Sequence, residues 1–177
     1  MSYIKRSLSV FQFWGFALTT LLGTFLHFLY DWTNESTIAA IFSSVNESTW
    51  EHMKLLYFPT FVFALFESFF FKEIKNFWCV KFVGILTGLL LIPVLFYTYN
   101  GAIGKSPDFV NIAIFFISAA IAFITETRLF KNESIKCHSP RLALLALCII
   151  GLVFVLFTFN PPSLPIFLDP ISKTYGI

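Results

Sequence analysis

Charge is what this chain lacks. Only 12% of its 177 residues are charged, about half the share of a soluble domain. That shortage excludes a soluble enzyme, a nucleic-acid binder and a disordered tail, and it removes nucleic acid from the partners to be considered. Cysteine is scarce as well. Cys79 and Cys148 fall in or beside apolar runs and Cys137 in a basic loop, so no disulfide framework is expected. Cys137-His138 also lacks the second ligand pair that a zinc site needs. No segment has the two-residue alternation of a barrel strand. The first apolar run ends Leu29-Tyr30-Asp31-Trp32, which is no small-residue cleavage site, so it is expected to remain as a signal anchor.

What is abundant is apolar: 57% hydrophobic residues, 25 Phe and a mean hydropathy of +0.78. No charged residue lies between Arg6 and Asp31, between Lys81 and Lys105, or between Arg141 and Asp169. Each gap exceeds the roughly 20 residues that carry a helix across a hydrocarbon core. Asp108 to Glu126 is uninterrupted, and Leu55 to Phe71 carries only Glu67. Unpaired backbone amides are costly in lipid, so the spans must be helical. The expected fold is an all-α integral membrane protein, one domain over residues 1–177, with five transmembrane helices near 9–30, 52–71, 77–99, 108–126 and 142–159.

Basic residues give the orientation. Lys5, Arg6, Lys72, Lys75, Lys81, Arg128, Lys131, Lys136 and Arg141 fall on one side, and Lys54, Lys105 and Lys173 on the other. The positive-inside rule then places the N-terminus in the cytoplasm and the C-terminus outside, in a plasma-membrane protein. In the first outer loop, Asn34-Glu35-Ser36-Thr37 recurs as Asn46-Glu47-Ser48-Thr49. Each copy suits a helix start, the first for a short interfacial helix over 36–44 and the second for span two. The outer tail, 160–177, holds four prolines between Asn160 and Pro170 yet stays apolar. It cannot be a continuous helix and is expected to fold back as a lid.

Ionisable groups collect at the outer level, where they are expensive and call for a partner or a cavity. His27 and Asp31 share a face at the end of span one. Glu47, Glu51 and Lys54 form a stripe at the start of span two, with His52 turned toward the bundle. Tyr97, Asn100 and Asp108 flank the next outer turn, and Asp169 belongs to the tail. Glu35, Glu47, Asp108 and Glu67 each have an adequate structural account, Glu67 as a partner of Lys72 at the inner boundary. The reading that gives the cluster chemistry makes His27, Asp31 and Glu51 the acid–base groups. Glu47, His52, Tyr97, Asn100 and Asp169 are then ligand-binding groups. The imidazole of His27 is expected to meet Glu51.

The segments His27–Trp32 and Val45–Pro59 and the tail Asn160–Tyr175 resemble a family of small bacterial multi-pass membrane proteins to which no activity is attached. A partial likeness is more informative. A His-x-x-x-carboxylate closing one span, with a Glu about eight residues before a proline in the next, resembles the EXPERA fold of emopamil-binding sterol isomerases and sigma-2 receptors. The resemblance implies a pocket for sterols or lipophilic amines lined by His27, Asp31 and Glu51. Asp31 stands where that family has Glu, the Glu-to-Pro spacing is one residue short, and the later spans match poorly.

The expected function is therefore binding of a lipophilic or amphiphilic small molecule at the outer face, with isomerase-like acid–base chemistry at that site. Three alternatives stand beside it. One is a metal-dependent hydrolase holding zinc at His27, Glu51 and His52. The others are a small transporter and a non-enzymatic subunit of a membrane complex.

Overall fold

The computed structural model describes residues 2–132 and 137–177, with the side chains of 2–6 left out. Lys136 and the side chains of Lys5 and Arg6 therefore lie outside the described residues. Six helices follow one another: α1 (Ser2–Trp32), α2 (Thr37–Phe42), α3 (Thr49–Ser68), α4 (Phe77–Ala102), α5 (Asp108–Lys131) and α6 (Pro140–Phe159). A 3-10 turn, Pro165–Phe167, sits in the tail.

Four of these, α1, α4, α5 and α6, are long and apolar enough to cross a membrane. Their outward faces carry large apolar side chains, among them Phe13, Leu21, Leu90, Phe109 and Leu142, all more than half exposed. Only 17% of the most apolar window of α6 is buried inside the protein, so its driving force for burial must come from lipid rather than from neighbouring helices.

α3 differs. Its 20 residues include Glu51, Lys54 and Glu67, and all three are buried. It packs against α1, α4 and α6 and supplies Met53, Leu55, Leu56 and Tyr57 to the main core. The Tyr57 hydroxyl donates to the Leu147 carbonyl at 2.5 Å, tying α3 to α6. α4 and α5 make the tightest contact. Gly84 and Gly88, one turn apart on α4, lie against Glu126 and Ala122 of α5, the close approach that small residues permit between membrane helices.

The repeated tetrapeptides precede helices with serine, not asparagine, at the N-cap position, and of the two serines only Ser48 caps with its side chain. Ser36 precedes α2 and Ser48 precedes α3, where its hydroxyl accepts from the Glu51 amide at 3.4 Å. Asn34 and Glu35 adopt positive φ and form the turn out of α1. α2 is shorter than the expected 36–44. It buries Ala39 and Ala40 and leaves Ile38 exposed.

The tail is ordered against the bundle. Phe167 inserts beside Trp50 and Phe157, with ring centroids 4.7 and 5.4 Å away. Asn46 donates to the Gly176 carbonyl at 3.0 Å.

One expectation is corrected outright. Cys79 at the start of α4 and Cys137 in the basic loop form a disulfide. They lie 58 residues apart in sequence, and only the packing of α5 brings that loop back beside α4.

Candidate functional site

Two polar centres are built into this bundle, at opposite ends of α3. One, on the side that the basic residues lead one to expect outside and therefore called outer, is a cleft of about 430 Å³ between α1, the start of α3 and the start of α5. A smaller hollow of about 110 Å³ adjoins it toward the end of α4 and shares Glu47, His52, Asp108, Asn111 and Phe115 with it. Ile171 of the tail borders both.

His27 projects into the cleft from the last turns of α1, and His52 from the first turn of α3. Their ring centroids are 5.5 Å apart. Glu47 lies in the turn before α3, so no helix fixes its direction. Its two oxygens reach His27 Nε2 and His52 Nε2, each at 3.5 Å. Phe28, Phe115 and Phe116 give apolar walls. On the floor, a Cβ at Gly23 would run into the Phe115 ring.

The protonation chemistry can be read from the partners. His52 Nδ1 lies 2.9 Å from the Ser48 carbonyl, which can only accept, so Nδ1 carries hydrogen. In a neutral ring the Nε2 lone pair would then face the Glu47 carboxylate. Contact between them is attractive when a proton lies on one or the other.

Glu51 is not part of this trio. Its carboxylate turns to the other side of α3, where it pairs with Lys54 Nζ at 2.5 Å. It also accepts from the Thr158 hydroxyl at 3.0 Å and the Val45 amide at 3.2 Å. Lys54 spends its other hydrogens on the Ala40 carbonyl and Thr158 Oγ1, at 2.9 and 2.8 Å. Every group there is satisfied, which ties α2, α3 and α6 together.

The remaining expected residues are dispersed. Asp31 is exposed at the end of α1. Tyr97 is exposed and lines neither hollow. Asn100 borders the smaller one but is engaged in holding a turn: its Oδ1 accepts from the Ser106 amide at 2.9 Å. Asp169 accepts from the Ile171 amide and the Ser172 hydroxyl at 2.7 and 2.8 Å, shaping the tail. With Glu51 turned away, His27, Glu51 and His52 do not converge. Among the described residues, no group of three His, Cys, Asp or Glu side chains is placed to hold a metal ion.

The inner centre was not expected. Lys81 of α4 is completely buried, paired with Glu67 of α3 and, at 2.6 Å, with Glu126 of α5. Gln12 of α1 donates to Glu67 at 2.7 Å. Four rings, Phe63, Phe77, Phe123 and Phe130, surround the ammonium with centroids 5.7–5.8 Å away, a cation–π cage. Glu67 therefore does not pair with Lys72. Removing the buried Lys81 and Lys54 from the orientation count leaves eight basic residues against two.

A seam of polar pairs connects the two levels. On antiparallel α1 and α3, Gln12 meets Glu67, Thr19 meets Thr60 at 3.3 Å, and His27 faces His52. The steps of seven and eight residues on α1 are mirrored on α3. Each spans about 10–12 Å at 1.5 Å per residue.

Four bilayer-length apolar helices, with ionised groups paired inside the bundle, are the architecture of a multi-pass membrane protein. The chain belongs to a family of unknown function, DUF6512, whose model matches residues 2–177. No curated protein and no solved structure matches it, so the EXPERA resemblance gains no support.

Proposed function

We propose that the outer cleft binds an amphiphilic small molecule with a cationic head, and that His27, Glu47 and His52 form its proton-exchanging end. The supporting observation is one hollow that joins the His–Glu–His trio to walls of phenylalanine. Its volume falls within the roughly 300–1,000 Å³ usual for ligand pockets. Glu47 and Asp108 would meet the cationic head, and Phe28, Phe115 and Phe116 the hydrocarbon. Any acid–base step falls to the trio, with Glu47 in the role the sequence offered to Glu51. Ile171 would make the tail a lid over the mouth. Detergent-purified protein should be thermally stabilised by hydrophobic amines, and His27→Ala or Glu47→Gln should abolish that stabilisation. Equal stabilisation of both variants would sink the reading.

The same proposal makes α3 a fifth span. Its length suffices, and its three ionised side chains are all paired within the bundle rather than offered to lipid. An odd number of spans puts the termini on opposite faces, with the N-terminus inside by the eight-to-two count. The Cys79–Cys137 bond lies on that basic side, where a reducing cytosol disfavours disulfides. Membrane-impermeant thiol labelling of intact cells resolves the conflict. Cys137 labelled after mild reduction only once the cells are lysed supports the orientation; labelling of intact cells from outside after mild reduction inverts it.

A further inference from the structure

The inner centre has an odd charge count. Glu67, Lys81 and Glu126 together carry one positive and two negative groups if all are ionised, and each of the three is 0% exposed. An uncompensated ion in such an interior costs on the order of several kcal/mol. No further cation is at hand among the described residues. α1 contributes the neutral Gln12, α3 Glu67, α4 Lys81 and α5 Glu126, and phenylalanine rings close the rest. The two carboxylates are also unequally served. Glu67 receives both the Gln12 amide and the Lys81 ammonium. Glu126 receives Lys81 on Oε2 alone, and its Oε1 has no hydrogen-bond partner, like Oε1 of Gln12; Oε2 of Glu67 is held by its ion pair with Lys81 and not by a hydrogen bond. Donated hydrogen bonds and a nearby cation favour the ionised form, so Glu67, with an amide donor on one oxygen and the shared ammonium on the other, is the better supported carboxylate.

We propose that this cluster is a proton-binding site whose dissociable proton resides on Glu126. Glu67 is then the permanent counter-ion of Lys81, and the centre is neutral when loaded. Release of the proton leaves Lys81 between two carboxylates. The α1–α3 seam through Thr19 and Thr60 points from this site to the outer trio. The site stands on its own geometry and does not depend on what the outer cleft binds.

Infrared spectroscopy of the full chain in detergent or nanodiscs reads the site directly. A protonated carboxyl C=O band should be present at neutral pH. It should vanish in Glu126→Gln, shift rather than vanish in Glu126→Asp, and keep its position in Glu67→Asp; Glu67→Gln should also remove it, because Glu126 then becomes the counter-ion of Lys81. The aspartate variant keeps a carboxyl on a shorter arm and assigns the band even if the glutamine variant does not fold. A wild-type spectrum without the band, or one whose band neither Glu126 variant moves, would overturn the proposal.

Discussion

The two polar centres use similar residues for opposite ends. At the outer cleft, Glu47 is 41% exposed and its contacts with His27 and His52 are both 3.5 Å. At the inner centre, Lys81, Glu67 and Glu126 are sealed, and Lys81 lies 2.6 Å from Glu126. Loose, half-solvated groups can exchange partners for a ligand at little cost. Sealed ones cannot be altered singly without stranding a charge. The contrast teaches that burial of ionised groups does not by itself mark a site for a small-molecule ligand: the most buried cations among the described residues, Lys54 and Lys81, are also the best paired.

Substitutions can break or sharpen that contrast. Lys81→Met should have the largest effect, because Glu67 and Glu126 lose the only cation paired with them among the described residues. A loss of about 3–5 kcal/mol is expected for breaking such a group, read as thermal unfolding in detergent. A loss below about 1 kcal/mol would erase the distinction between the centres. Lys54→Met should fall at the lower end of the same range, about 3 kcal/mol, because Glu51 keeps the Thr158 hydroxyl and the Val45 amide. Gly84→Ala would push a methyl group into the Glu126 side chain and should cost about 1–3 kcal/mol as overpacking. Glu47→Gln should be smallest, within about 0.5 kcal/mol of wild type in the absence of ligand. If it instead destabilises as Lys54→Met does, Glu47 is a structural strut and the outer cleft loses its claim to be the adaptable site.

The helices were legible because gaps between charges are set by the bilayer, and the chain respects that limit at almost every span. α3 was legible as a helix, since the one glutamate between Leu55 and Phe71 does not hide that apolar run, but it is not among the four helices long and apolar enough to cross a membrane. What packs against a given side chain was less legible. Lys81 reads as a topogenic charge because nothing local distinguishes a lysine in an inner loop from one drawn into the bundle. Its partners come from α3 and α5, 14 and 45 residues away. The Glu51–Lys54 contact, by contrast, is local and visible as a stripe. The exchange of roles between Glu47 and Glu51 has a specific cause. The stripe assumed a helix beginning before Glu47, whereas α3 begins at Thr49. Glu47 is therefore free of the helical lattice and swings to the histidines. His52 needed only its angular offset from Glu51 to be placed on the cleft side. The disulfide escaped for the opposite reason: its closure depends on where α5 returns the chain, which spacing alone does not specify.

The matched steps of Gln12–Glu67, Thr19–Thr60 and His27–His52 act like teeth on two racks. Displacing α1 along α3 by one turn would part all three pairs at once, with Glu67 losing its amide donor. Sliding is thereby blocked, whereas tilting about the threonine level opens one end as it closes the other. A motion linking the two ends of this molecule would have to be a rocking one, pivoting on the smallest polar pair of the three.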